Sequence, residues 1–105
     1  MNDEPQVSRV VDLVSYQGGA IVSRIVVKRD AGNVTLFALD TGQELSEHTA
    51  PYDALVQVME GEAAITVAGR PYRVGAGEMI LMPAHQPHAL KATSRFKMLL
   101  TMIRS

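Results

Sequence analysis

The sequence contains no cysteine and no tryptophan, and aromatic residues make up only 5% of it. The lack of cysteine excludes disulfides, thiolate zinc sites and a cysteine nucleophile. It suits a reducing compartment, so a cytoplasmic location is expected. No apolar run approaches the ~18 residues that a membrane-spanning helix needs, and no membrane partner is expected. The opening "MNDEPQVSRV" is polar and acidic and lacks the apolar segment of a signal peptide. Charge of one sign is missing as well. The 10 basic and 11 acidic residues give a formal net charge of −1 and are interspersed. No Lys/Arg cluster offers a phosphate-binding stripe, which argues against a nucleic-acid partner.

What is present is apolar and β-branched. A chain of 105 residues with 47% hydrophobic content suits one globular domain. No helical period persists for long. Short apolar runs alternate with turn residues such as "QGG", "DAGN", "DTG", "AGRP" and "GAG". Candidate strands occupy residues 8–14, 20–28, 33–40, 43–48, 53–60, 62–68, 70–74, 78–83, 87–92 and 95–103. Many strands at nearly regular spacing, with no crossover helix, predict an all-β antiparallel sandwich or barrel. Residues 1–17 read as an N-terminal tail and edge strand, and residues 18–105 as the barrel domain.

Alternation assigns faces. Phe96, Met98, Leu100 and Met102 share one face of the last strand. His48, Ala50, Tyr52, Ala54, Val56 and Val58 share another, provided Pro51 does not break the register. Leu55, Gln57 and Met59 take the opposite parity. Apolar residues on both parities predict a homodimer, with residues 22–27 and Leu55 or Met59 at the interface.

Two of the chain's three histidines lie in "PAHQPHAL", at His85 and His88; the third is His48. Their surroundings carry two spaced motifs. Gly42-x5-His48-x-Ala50-x3-Ala54-x6-Gly61 has the spacing of the first cupin motif, G-x5-H-x-H-x3-E-x6-G. Gly77-x5-Pro83-x-His85-x2-His88-x3-Ala92 has that of the second, G-x5-P-x-G-x2-H-x3-N. The chain therefore resembles a small single-domain cupin over roughly residues 18–105. The resemblance implies an antiparallel jelly-roll β-barrel, with a metal held inside by two His and one Glu of the first motif and one His of the second. His48 and His88 match ligands. Ala50 stands at the second His position, Ala54 at the Glu position, His85 at a glycine and Ala92 at an asparagine.

Two imidazoles without a carboxylate bind a divalent ion weakly and leave its charge uncompensated. A divalent transition metal (zinc, nickel, iron or manganese) is thus expected, if bound, to be weakly held, with His85 as a candidate third ligand beside His48 and His88, although a Pro-bounded exposed turn is the leading reading of His85. The methionines read as gap-filling core rather than as a soft-metal site. Glu44, Glu47 and Asp53 read as surface carboxylates more readily than as general bases. The leading expectation is a barrel that binds a small, mostly apolar molecule, with His48, Tyr52, Gln57 and His88 lining the pocket. Ala50 and Ala54 widen the space where ligands would otherwise stand. The alternative is a metal-dependent enzyme of oxygenase or isomerase type, using His48 and His88 with His85, Gln57 or water as the further ligand. A metal-free acid/base enzyme is a third reading.

Overall fold

Alternation of apolar and polar positions leads to two face-to-face antiparallel sheets, because each strand has one face to hide. The computed structural model describes residues 4–105. Its strands are β1 (Ile21–Arg29), β2 (Gly32–Leu39), β3 (Glu44–His48), β4 (Tyr52–Glu60), β5 (Glu62–Val67), β6 (Arg70–Gly75), β7 (Met79–Met82), β8 (His88–Lys91) and β9 (Phe96–Arg104). One sheet runs β1-β2-β9-β4-β7 and the other β3-β8-β5-β6, the arrangement of a small jelly roll. Nine of the expected strands appear within two residues of their sequence-derived ends. No helix of the described residues is long and apolar enough to cross a membrane.

The core lies between the sheets. Leu39, Val56, Val58, Ile65, Met82, Phe96 and Met98 are essentially inaccessible to solvent and form one cluster. Residues 96, 98, 100 and 102 share the inner face, as the alternation of the last strand requires.

The strand expected over residues 8–14 does not form. Val10–Asp12 make a single 3-10 turn. The physical reason is a better place for the apolar side chains than a sheet edge. Val14 is buried against Leu36 and Ala38 on the outer face of the five-stranded sheet, with Leu13, Tyr16, Val22, Met59 and Leu99 around it. The backbone carbonyls that a strand would have paired are taken by side chains. Lys97 Nζ donates to the Val11 carbonyl at 2.8 Å, and Arg24 Nη1 to that of Leu13 at 3.2 Å. The Tyr16 hydroxyl donates to Glu60 at 2.6 Å and fixes the far end of the strap.

Val22 and Met59 are therefore covered by the chain itself. The rest of the outer face is not. Met79 (65% exposed), Leu81 (56%) and Ile103 (58%) stand there beside half-buried Leu55, which faces Leu81 across the β4–β7 ladder.

Candidate functional site

His48 ends β3 and His88 begins β8, and the two are direct partners in the β3–β8 ladder. The ladder is irregular. Leu45 pairs with Leu90 and His48 with His88, so two residues of β3, Ser46 and Glu47, oppose the single Ala89 of β8. This bulge reverses the parity of β3 between positions 45 and 48. It lets Leu45 and His48 both line the barrel interior, where simple alternation would turn one of them out. Orientation of His48 thus depends on the bulge and not on a parity shared with Ala50. Ala50 and Pro51 lie outside both strands, and Ala50 does not line the cavity.

The interior cavity has a volume of about 50 Å³ and is lined by Leu45, His48, Ala54, Met82, His88, Leu90, Met98, Leu100 and Met102. A water molecule needs roughly 10–15 Å³ by this measure, so the space takes an ion with a few waters or a ligand of a few atoms. It falls well short of the roughly 300 Å³ at which sites for larger organic ligands begin. A wider groove of about 640 Å³ crosses the outside of the four-stranded sheet past Glu44, Ser46, Thr66, Tyr72 and Lys91. It is open to solvent and contains no histidine. Glu44 and Glu47 line that outer groove and cannot act on the interior. Asp53 serves the fold: its Oδ1 accepts the Ala84 N–H at 2.9 Å and fastens the β7–β8 turn.

His88 is buried, whereas His48 stands exposed at the mouth. The ring centroids are 4.3 Å apart with planes at 67°, and Nε2 meets Nε2 at 3.1 Å. The Nδ1 of each ring touches a backbone carbonyl, Ser46 for His48 at 2.8 Å and Gln86 for His88 at 3.2 Å. Counting protons shows what this arrangement requires. Carbonyl oxygens only accept, so each carbonyl contact needs a ring N–H, and the nitrogen–nitrogen contact needs a third proton. Two neutral imidazoles supply two. The pair is one positive charge short.

A proton is a poor way to supply it. Burial holds the His88 pKa below its ordinary value, the neighbouring His48 acts in the same direction, and the Gln86 carbonyl opposes them. This depression links stability to pH. In the window below the unfolded value of about 6.5, the unfolded chain binds a proton that folded His88 resists. Stability should be complete above that value and decline as pH falls through it towards the lower folded value. Urea unfolding should show a lower midpoint at pH 5.5 than at pH 7.5, and His88→Gln should flatten the difference. An unchanged slope in the variant would remove His88 as the cause.

The donor set does not fit the divalent metal that the cupin motifs imply. Two imidazole nitrogens converge, but Ala54 stands where the carboxylate would be. Among the described residues no group of three His, Cys, Asp or Glu is placed to hold a metal. Three of the residues expected at the site lie elsewhere. His85 sits in the exposed β7–β8 turn at φ +67°, outside the cavity, with its N–H on the Ala50 carbonyl at 2.9 Å. That left-handed backbone explains why glycine suits this position; histidine holds it at a cost of about 1–2 kcal/mol. Gln57 is exposed on the outer face, because its neighbours Val56 and Val58 take the inner one. Tyr52 does not line the cavity; its hydroxyl accepts a long 3.4 Å hydrogen bond from Arg104. Met82 and Met98 are buried in the core cluster and Met102 packs against it, the core-filling role expected of them, and all three also line the cavity.

The cupin domain family matches residues 35–104. A conserved protein of unknown function from Streptococcus pyogenes is 38% identical, with a TM-score of 0.93 over 99% of this chain and 91% of that one. A cupin 2 conserved barrel domain protein from Leptotrichia buccalis is 41% identical, with a TM-score of 0.87 over 90% of this chain and 46% of that longer one. A cupin superfamily protein from Desulfitobacterium hafniense is 25% identical, with a TM-score of 0.89 over 100% of this chain and 94% of that one. Comparison with curated proteins gives no match. With both spaced motifs, the jelly roll and the family match in agreement, the chain belongs to the cupin superfamily.

Proposed function

We propose that this cupin is a binding module whose interior His48/His88 pair takes up a small cation, or a ligand of a few atoms that presents a donor to both Nε2 atoms. The observation that supports it is the missing proton: both Nδ1 atoms face carbonyls while the two Nε2 atoms meet at 3.1 Å. Tying Nδ1–H to a carbonyl is the usual way to aim Nε2 at a metal. The separation approaches the roughly 3.3 Å expected of two nitrogens on one tetrahedral ion. Binding ranks ahead of catalysis because, among the described residues, the cavity lining contains no carboxylate to act as a base. A reducing compartment such as the cytoplasm belongs to the same proposal and rests on the cysteine-free composition.

The test is elemental analysis of untagged protein purified without added metal, followed by calorimetric titration with Zn²⁺ and Ag⁺. One cation per chain should bind at the native site, and His88→Gln should abolish it. Equal binding by the native protein and the variant would place the cation elsewhere and end this reading.

Assembly as a homodimer is part of the proposal. Of the interface residues expected, Leu55 and the exposed Ile25 and Val26 remain available, with Met79, Leu81 and Ile103 beside Leu55, whereas Val22 and Met59 are covered by the N-terminal strap. Closed two-fold dimers are the commonest soluble assemblies, and contiguous apolar surface favours one. Light scattering at micromolar concentration should give the dimer mass, and Met79→Glu/Leu81→Glu should give the monomer. A native monomer at that concentration would refute it.

A further inference from the structure

The position at which this chain lacks the cupin carboxylate is surrounded in a particular way. Ala54 pairs with Met82 on β7 and with Met102 on β9. Direct cross-strand partners point to the same face. Ala54, Met82 and Met102 accordingly all line the cavity that holds His48 and His88, and Met98 lines it too. The place left by a hard oxygen donor is thus flanked on both sides by thioethers. We infer that the site selects a soft monovalent cation of the copper(I) type, held by His48 and His88 Nε2 and completed by Met82 or Met102 sulfur. This inference rests on the binding reading above and specifies the ligand class.

Two independent considerations lead there. The first is donor chemistry. Imidazole and thioether together suit copper(I), whereas magnesium, calcium and manganese prefer oxygen, and zinc sites use Cys, His and carboxylate. The second is charge. The two neutral imidazoles bring no negative charge to the site. Among the described residues the cavity wall is otherwise apolar and has no anion to offset a second charge. The cost of taking an ion out of water rises with the square of its charge, so a divalent ion pays roughly four times the penalty of a monovalent one. An ordinary gap-filling role for methionine accounts for Met98, which faces Val58 deeper in the core, but gives no reason for methionine on both sides of Ala54.

The experiment titrates the apo protein anaerobically with Cu⁺ against a chromogenic chelator, and separately with Zn²⁺. The native protein is compared with Met82→Leu/Met102→Leu, a volume-conserving change. Cu⁺ should bind once per chain, and the double variant should weaken it by about 10–100-fold while Zn²⁺ changes less than about twofold. Ag⁺, which is redox-silent, should shift the Met82 or Met102 methyl resonance in the native protein. That readout stands even if the double variant fails to fold. Cu⁺ affinity unchanged by the methionine substitutions, with no methyl shift, would overturn the soft-cation assignment and leave the binding reading intact. Failure of every cation to bind the native protein would overturn both.

Discussion

Ala54→Glu should raise the affinity for Zn²⁺ by at least about 100-fold, equivalent to about 2.7 kcal/mol. The side chain at this position is buried, lines the cavity and stands between Met82 and Met102 in the ladder. A carboxylate there completes a His2Glu set with His48 and His88, a sufficient protein contribution to a zinc site, and neutralises part of the ion's charge. The metal-free variant should be less stable than the native protein by about 1–3 kcal/mol, since the larger side chain overfills a cavity of about 50 Å³. Burial should also push its carboxyl pKa up. Zn²⁺ at 100 times its Kd returns about 2.7 kcal/mol, so the melting temperature should fall on substitution and recover on loading. Adding Ala50→His should improve little on the single change, because Ala50 lies outside both strands and off the cavity wall. Calorimetry and thermal melts check both points. A double variant far tighter than the single one would show that residue 50 does face the site.

A large effect on folding should come from a glycine of the first motif. Gly61 turns β4 into β5 at φ +77°, and a Cβ there would lie 2.3 Å from the Arg95 carbonyl oxygen and 3.0 Å from Phe96 Cα. Those are backbone atoms at the start of β9, next to the fully buried Phe96 ring, so they cannot move cheaply. Gly61→Ala should cost more than about 3 kcal/mol: about 1–2 for the left-handed backbone, and the rest for displacing β9. In a domain of this size the melting temperature should fall by more than about 10 °C. Gly42 is the control. It has φ +87° but nothing within 4 Å of its Cβ direction, so Gly42→Ala should cost only the backbone share, about 1–2 kcal/mol. Equal losses at the two positions would show that crowding against β9 is not what makes Gly61 necessary.

Most of the barrel was legible in the sequence because each strand from β1 onward carries its own alternation and its own turn residues. The N-terminal segment was not. "SRVVDLV" has strand composition, but the outer face of a finished sheet offered Val14 a burial that local pattern does not reveal. At the site, the resemblance of the two motifs to the cupin pattern implied that His48 and His88 converge, and the β3–β8 ladder pairs them. The spacing could not reveal the bulge between Leu45 and His48, because a bulge is an insertion in one strand relative to another. Ala50 was misplaced because it lies in the link between β3 and β4, and Tyr52 because, though it keeps the parity of Ala54, it stands at the start of β4 beyond the cavity. His85, read as an exposed turn residue and also as a candidate third nitrogen, stands exposed in the β7–β8 turn with a left-handed backbone. The methionines were visible as residues, but their meaning depends on which strands flank Ala54, and that is a property of the sheet order β9-β4-β7.

The most direct test of the dihistidine account is the protonation pattern of the two rings. Long-range proton–nitrogen NMR on ¹⁵N-labelled protein, held above the ordinary histidine pKa of about 6.5, resolves it with and without one equivalent of Ag⁺. The account predicts that in the loaded protein His48 and His88 both carry their proton on Nδ1, on the Ser46 and Gln86 carbonyls, and that both Nε2 resonances move on loading. An Nε2–H on either ring of the loaded protein, or Nε2 resonances that do not respond to the cation, would contradict it.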